Sequence, residues 1–250
     1  MTPDWHVLDQ ELEHWRAQGL SFPLWWRDDD AIAWTPQLER LSDLSKRLGL
    51  AVHVAVIPCD AKPDLAGYMA RTPNLIPVVH GWAHKNHAPP DEKKSEFRLH
   101  RPIAQIVEDA AAGIAQFRTL FEQDFRPMFV PPWNRIAPEV AVHLPKLGYR
   151  ILSTATPRPK AYAAPGLEQV NTHIDPIDWR GTRGLASPDA LIRRTAFVLR
   201  DRREGRTDPS EPLGVLTHHL VHDQEIWSFT EALLQRLLGG PALIWTAPKH

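Results

Sequence analysis

The chain reads as an α/β protein built on a parallel sheet or barrel. Three observations predict this. Short runs rich in Val, Leu and Ile alternate with stretches of helical period along the whole length. Breakers such as Gly49 and Pro58 punctuate them. Polar islands of Asp and His follow the apolar runs, and the C-terminal strand ends are where parallel α/β folds gather functional side chains.

The elements follow in order. Phe22 to Arg27 predicts a short buried strand, and Pro36 opens a helix with Leu38, Leu41, Leu44 and Leu48 at helical spacing, stopped by Gly49. Leu50 to Ile57, rich in valine and ended by Pro58, is the next strand. A short helix near Asp64 to Ala70 leads to a third strand, Leu75 to Val79. Residues 87–100 are polar and proline-containing, a loop placed to overhang a site. A long amphipathic helix from about Ile103 to Phe121 precedes a strand at Met128 to Val130, a helix at about Pro138 to Leu147 and a strand at Tyr149 to Ser153. Residues 156–168 predict a surface loop and Gln169 to Ile174 a strand. Asp189 to Arg202 is helical, residues 203–212 a charged loop, Leu213 to Thr217 a strand and Thr230 to Leu238 a last helix. The arginines from Arg193 and Arg194 through Arg203 predict a solvated helix face and loop.

Composition narrows the class. A chain of 250 residues buries a full core as one domain. Its 29 basic and 30 acidic residues imply no polyanionic partner, hence no nucleic acid. The single cysteine, Cys59, excludes an internal disulfide and a thiolate metal cage. The opening residues lack the basic and apolar regions of a secretory signal, and no apolar run approaches the roughly 18–20 residues of a membrane span. The expectation is a cytoplasmic enzyme.

Four islands carry the chemistry: Arg27-Asp28-Asp29-Asp30, His80-Gly81-Trp82-Ala83-His84, Asp175-Pro176-Ile177-Asp178-Trp179 and Thr217-His218-His219. Carboxylates and imidazoles beside apolar strands are costly unless a metal, a proton or a substrate uses them. Histidines four apart share one face of a helical turn, and with a carboxylate from the triplet they form a His₂Asp ligand set that leaves open positions for water and substrate. Trp25-Trp26 before the triplet and Ala31-Ile32-Ala33 after it argue against full exposure.

In order and content these islands resemble the motifs of the polysaccharide deacetylase family. The first family motif, Thr-Phe-Asp-Asp-Gly, resembles Arg27-Asp28-Asp29-Asp30-Ala31, and the second, His-(Ser/Thr)-x-x-His, resembles His80 to His84. Arg-Pro-Pro-(Tyr/Phe) resembles Val130-Pro131-Pro132-Trp133, Asp-x-x-Asp-Trp is matched by Asp175 to Trp179, and an apolar strand ending in His by Leu213 to His218. The resemblance covers roughly residues 22–240. It implies a distorted (β/α) barrel with fewer than eight complete units and metal-dependent removal of an acetyl group from an N- or O-acetylated sugar. One divalent cation, zinc with Mn²⁺ or Co²⁺ able to substitute, would sit on Asp30, His80 and His84. Asp29 would be the general base. His218 would be the acid, with Asp178 orienting it and raising its pKa. The backbone N–H of Trp133 would serve the oxyanion, Trp133 and Trp179 would wall the acetyl or sugar slot, and Arg27 and Asp175 complete the substrate-facing set.

Three departures leave alternatives open. Asp28 and Asp29 are an alternative register for base and ligand. Val130 stands where the family has an arginine, which Arg27 or Arg135 would replace; in an extended strand Arg27 and Asp29 share a face. His219 and His222 compete with His218. A metal-dependent amidohydrolase acting on a small non-sugar amide, and an inactive glycan-binding relative, are the other functions this sequence accommodates.

Overall fold

The computed structural model describes residues 3–249. The elements run α1 His6–Ala17, β1 Phe22–Ala31, α2 Pro36–Leu48, β2 Val52–Val56, α3 Pro63–Ala70, β3 Leu75–His80, α4 Ile103–Phe121 and β4 Met128–Val130. After a single 3₁₀ turn at Pro132–Asn134 come α5 Pro138–Ala141, α6 Leu144–Leu147, β5 Ile151–Leu152, β6 Tyr162–Ala164, β7 Leu167–Gln169, α7 Pro188–Arg203, β8 Leu213–Thr217, α8 Gln224–Gly239 and β9 Ala242–Ile244.

The strands form one sheet in the order β6-β7-β5-β4-β3-β2-β1-β8, with β9 also on β1. Every pair is parallel except the β6–β7 hairpin. Between β5 and β8 the wall thins to residues 170–174. There Thr172 N–H donates to Thr154 O (3.0 Å), His173 N–H to Gly214 O (2.8 Å), and Leu216 N–H to Ile174 O (2.8 Å). The result is the distorted barrel with fewer than eight units that the motifs imply, its sheet not closed by a continuous ladder.

Strand alternation sorts the core into two layers. Trp26, Val52, Val54 and Val79 pack outward in the large cluster that also holds Leu38, Leu41 and Leu233, while Trp25, Ala55, Val78, Met128, Val130, Ile151 and Val170 form a small inner cluster capped by Ala247. Each fully buried Leu or Val contributes roughly 1.5–3 kcal/mol, so the outer layer holds the helices on the sheet. Because Trp25 points inward, Arg27 and Asp29 on the same strand do too. The β1–β2 register then slips by one residue between Asp28 and Ala31, and Asp30 has φ 77°. A bulge of this kind re-aims a side chain, and here it lets Asp30 join the inner group.

Several elements differ from the sequence-based expectations. Strand β1 extends through the acidic triplet, because each carboxylate finds a partner inside. The helix expected over Pro138 to Leu147 is two short ones: Pro145 has no N–H to donate to Ala141 O. The loop expected at 156–168 contains the β6–β7 hairpin, turned at Gly166 with φ 78°. Helix α8 starts six residues before Thr230, where the Asp223 carboxylate accepts from Ile226 N–H (2.8 Å). Helix α1 and strand β9 had no counterpart in the sequence-based elements; α1 buries Leu8, Leu12 and Trp15. Arg202 is not on a solvated face. It is fully buried beside His173 (2.9 Å) and Glu211 (3.6 Å), and burial lowers its pKa to about 10.

Candidate active site

The polar islands converge at the C-terminal end of the barrel. His80 ends β3, fully buried, with Nδ1 3.0 Å from Val130 O. A carbonyl only accepts, so Nδ1 carries a proton, and Nε2 is the nitrogen turned toward the acidic triplet. That Nε2 lies 3.0 Å from Asp30 Oδ1, and His84 Nε2 lies 3.4 Å from the same oxygen. Among the described residues these three form the one group whose ligand atoms all lie within 4.8 Å of each other. Burial raises the Asp30 pKa, but the His80 hydrogen bond and the charges of His80, His218 and His84 outweigh it and hold the carboxylate ionised. Burial and then the charge of His80 push the His84 pKa down, favouring the neutral imidazole that a cation requires. A carboxylate and two imidazoles with free nitrogens suit a divalent transition ion or zinc.

Two supports hold the second histidine in place. Glu96, buried in the overhanging loop, accepts from the backbone N–H of Ala83 (2.9 Å), Trp82 (3.3 Å) and Lys85 (3.4 Å) and so fixes the turn between the histidines. Gly81 sits at φ 56°, where a Cβ would come within 2.5 Å of Glu96 Oε2 and of Pro132, so only glycine fits. His84 (φ 52°) then stacks against Trp133 (φ 55°) at 4.3 Å between ring centroids, followed by Asn134 at φ 57°. With Asp30, four of the seven non-glycine residues at positive φ among the described residues lie in this one site, where strain is tolerated because packing over-determines it.

Arg27 and Asp29 form a forked pair. Nε lies 2.8 Å from Oδ1 and Nη2 lies 2.9 Å from Oδ2, with both side chains almost wholly buried. The guanidinium is held in turn by Asn134 Oδ1 (2.7 Å) and Ser153 Oγ (2.8 Å). Of the two arginines proposed to replace the family's motif arginine, Arg27 is the one on the carboxylate. Arg135 donates instead to Lys94 O (2.7 Å).

Asp28 faces the other way. It is fully buried, 2.5 Å from His219 Nδ1, and also accepts from Thr217 Oγ1 (2.6 Å) and from the His219 backbone N–H (3.0 Å). It is therefore occupied, as is His219, and the triplet's two inner members are Asp29 and Asp30. His222 is tied to the backbone N–H of His218 (3.3 Å), and burial lowers its pKa to about 4. His218 is the member of its cluster that meets Trp179, edge to face at 4.7 Å.

The two aspartates of the fourth island have different partners. Asp178 caps its own turn by accepting from Gly181 N–H (3.1 Å), and the hydrogen bonds of the described residues do not bring it to His218. Asp175 accepts from Trp179 Nε1 (2.7 Å) and Ile177 N–H (3.0 Å). Burial raises its pKa, and the charge of His218 counters this. The Asp175–Trp179 bond also aims the half-exposed indole at His218. The sequence missed Glu96, Asn134 and Ser153 as supports. Only Glu96 left a signal, an acidic residue in the overhanging loop.

No family model matches the chain, and no curated protein's sequence does. Solved structures do share its fold. A family 4 carbohydrate esterase from Streptomyces lividans, solved with acetate, is 14% identical with a TM-score of 0.57 over 91% of this chain and 94% of its own. A family 4 esterase from Streptococcus mutans is 12% identical with a TM-score of 0.56, covering 98% of this chain and 92% of its own. The peptidoglycan deacetylase PdaC from Bacillus subtilis is 11% identical with a TM-score of 0.55, covering 90% and 87%. The fold is that of the family 4 esterases and polysaccharide deacetylases.

Proposed function

We propose that this protein is a metal-dependent deacetylase of N-acetylated, or O-acetylated, sugars or glycoconjugates, acting as a single domain. The observation that carries the proposal is the joint placement of Asp30, His80 and His84 beside a clamped, buried Asp29. A divalent cation bound by Asp30, His80 and His84, zinc with Mn²⁺ or Co²⁺ as substitutes, supplies Lewis acidity toward the acetyl carbonyl and the attacking water.

The chain's own residues then divide the proton work. Asp29 accepts the proton of the attacking water at a carboxylate oxygen, and the Arg27 fork keeps both oxygens in place. The Trp133 N–H serves the oxyanion, since Pro131 and Pro132 have none to offer. His218 protonates the departing nitrogen, with Asp175 rather than Asp178 as the carboxylate that steadies it. Trp179 and Trp133 flank the two imidazoles His218 and His84, which suits a flat sugar face or an acetyl methyl between them. Reading Asp29 as the base and His218 as the acid disfavours an inactive glycan-binding relative.

No helix among the described residues is long and apolar enough to cross a membrane. Cys59 is an exposed free thiol, in keeping with a reducing, cytoplasmic compartment, which cell fractionation tests.

Acetate release from a panel of N-acetylated sugars, paired with metal analysis, tests the activity; no release from any member with one equivalent of metal bound overturns it. His218→Ala is expected to lower turnover of an N-acetyl sugar by ~10²–10⁴-fold while keeping the metal, and to do far less to an acetate ester of nitrophenol, whose leaving group needs no proton. Equal losses on both substrates would assign His218 to binding.

A further inference from the structure

A second cavity, of about 280 Å³, opens beside the reacting centre, and two arginines, Arg98 and Arg135, line it together with Asn134, Thr154 and Gln169 over an apolar floor that includes Leu152. It is joined to the chemistry through consecutive residues. Trp133 packs on His84, Asn134 accepts from Arg27, and Arg135 reaches the cavity. Thr154 O also lies 3.4 Å from Arg27 Nη1, so two of the cavity's walls touch the guanidinium that holds Asp29.

The two cations in this cavity are unusual for this protein. Most other arginines at least partly buried pair with carboxylates: Arg27 with Asp29, Arg101 with Asp109, Arg158 with Asp208, Arg202 with Glu211, Arg203 with Glu11 and Arg236 with Asp9, while Arg126 donates to Ala247 O. Arg98 and Arg135, each half-buried, have no such partner among the described residues. Burial and then the charge of Arg98 lower the Arg135 pKa, so the two cations share this cavity with no carboxylate paired to either among the described residues. Holding like charges together in a partly desolvated cavity is unfavourable unless an anion arrives between them.

The geometry points to a subsite for an anionic substituent, carboxylate or phosphate, on a sugar neighbouring the acetylated one. Arginine forks suit both groups, and Asn134, Thr154 and Gln169 supply uncharged hydrogen bonds for the ring that carries them. The inference rests on the deacetylase assignment for the word "acetylated" and on the cavity alone for the anion.

Binding without turnover separates the two. In the metal-loaded Asp29→Asn protein, calorimetry compares neutral chitotetraose with a tetrasaccharide alternating N-acetylglucosamine and glucuronate, and with chitotetraose phosphorylated at the 6-position. At least one charged ligand is expected to bind roughly 10-fold more tightly than the neutral one, with the advantage lost in Arg98→Gln/Arg135→Gln and weakened by about 0.5 M salt. Which charged ligand gains identifies the anion. Equal affinity for all three, or an advantage that survives both glutamines, overturns the subsite. Charge-dependent binding with no acetate release from any sugar by the unsubstituted protein would instead overturn the deacetylase assignment and leave the subsite standing.

Discussion

His80 and His53 sit in neighbouring strands and begin with the same hydrogen bond. His80 Nδ1 donates to Val130 O (3.0 Å) and His53 Nδ1 donates to Trp26 O (3.1 Å), each to the strand beside it. Both rings are buried, and each turns Nε2 to a second partner. They differ in what meets that nitrogen. At His53 it is a backbone N–H, that of Ala247 at 3.0 Å, inside a packed group with Trp25 and Trp245. At His80 it is a shared carboxylate oxygen with a second imidazole beside it. The first arrangement is closed, and its histidine is a structural brace at the N-terminal end of the barrel. The second converges three ligand atoms on one point at the opposite end. In a chain with 13 histidines, burial and a fixed tautomer do not mark a site; the partner at the remaining nitrogen does.

The acidic triplet repeats the lesson within one strand. Asp28 and His219 form a buried pair with no open face, whereas Asp29 and Asp30 look into the cleft. The comparison breaks first at the base. Asp29→Asn is expected to cut acetate release by ~10²–10⁴-fold with metal content unchanged, because an amide takes no proton. Asp30→Asn should lose metal, measured by elemental analysis after gel filtration. If the two exchange phenotypes, the division of roles between them is wrong.

Next in size is the sealed pair. Removing one partner of a buried ion pair costs about 3–5 kcal/mol, so Asp28→Ala should lower the urea midpoint strongly. A variant that keeps its stability but loses metal would place Asp28 with the ligands and erase the contrast. The smallest effect concerns His53, whose pKa burial lowers to about 4 from 6.5. The unfolded chain takes that proton near pH 6.5, while the folded chain refuses it until about pH 4. Stability is therefore complete above pH 6.5, falls by about 3 kcal/mol between pH 6.5 and 4, and changes no further below that on account of this group. Unfolding free energies at pH 7.5 and 4.5 should differ less in His53→Gln than in the unsubstituted protein; an unchanged slope would acquit this histidine.

Much of the frame was legible because periodicity and punctuation coincide. Pro36 and Gly49 bracket α2, and α4, β4 and β8 have the expected limits. What stayed hidden depends on contacts distant in sequence. A run of three carboxylates looks like a turn until Arg27, His219 and His80 are placed around it. Asp175 and Asp178 are indistinguishable as letters, and only the folded turn shows that one accepts from Ile177 N–H and the other from Gly181 N–H. Strand β9 reads as a short apolar tail because its partner lies some 220 positions earlier in the chain. The Arg27 clamp was foreseen as one of two choices, since alternation put it on the face of Asp29.

Strand β1 has a history as well as a position. It bonds to β2 soon after synthesis, but its other neighbours are β8 and β9. Asp28 meets Thr217 only across 189 positions of chain. At about 5–20 residues per second, translation leaves roughly 10–40 s between making that aspartate and making its partner. During that interval the strand that carries the acidic triplet is an open edge on a growing polypeptide, with adjacent negative charges that repel its like. The side chains assigned to chemistry in the finished protein thus also act as a deterrent to edge-to-edge pairing during its birth.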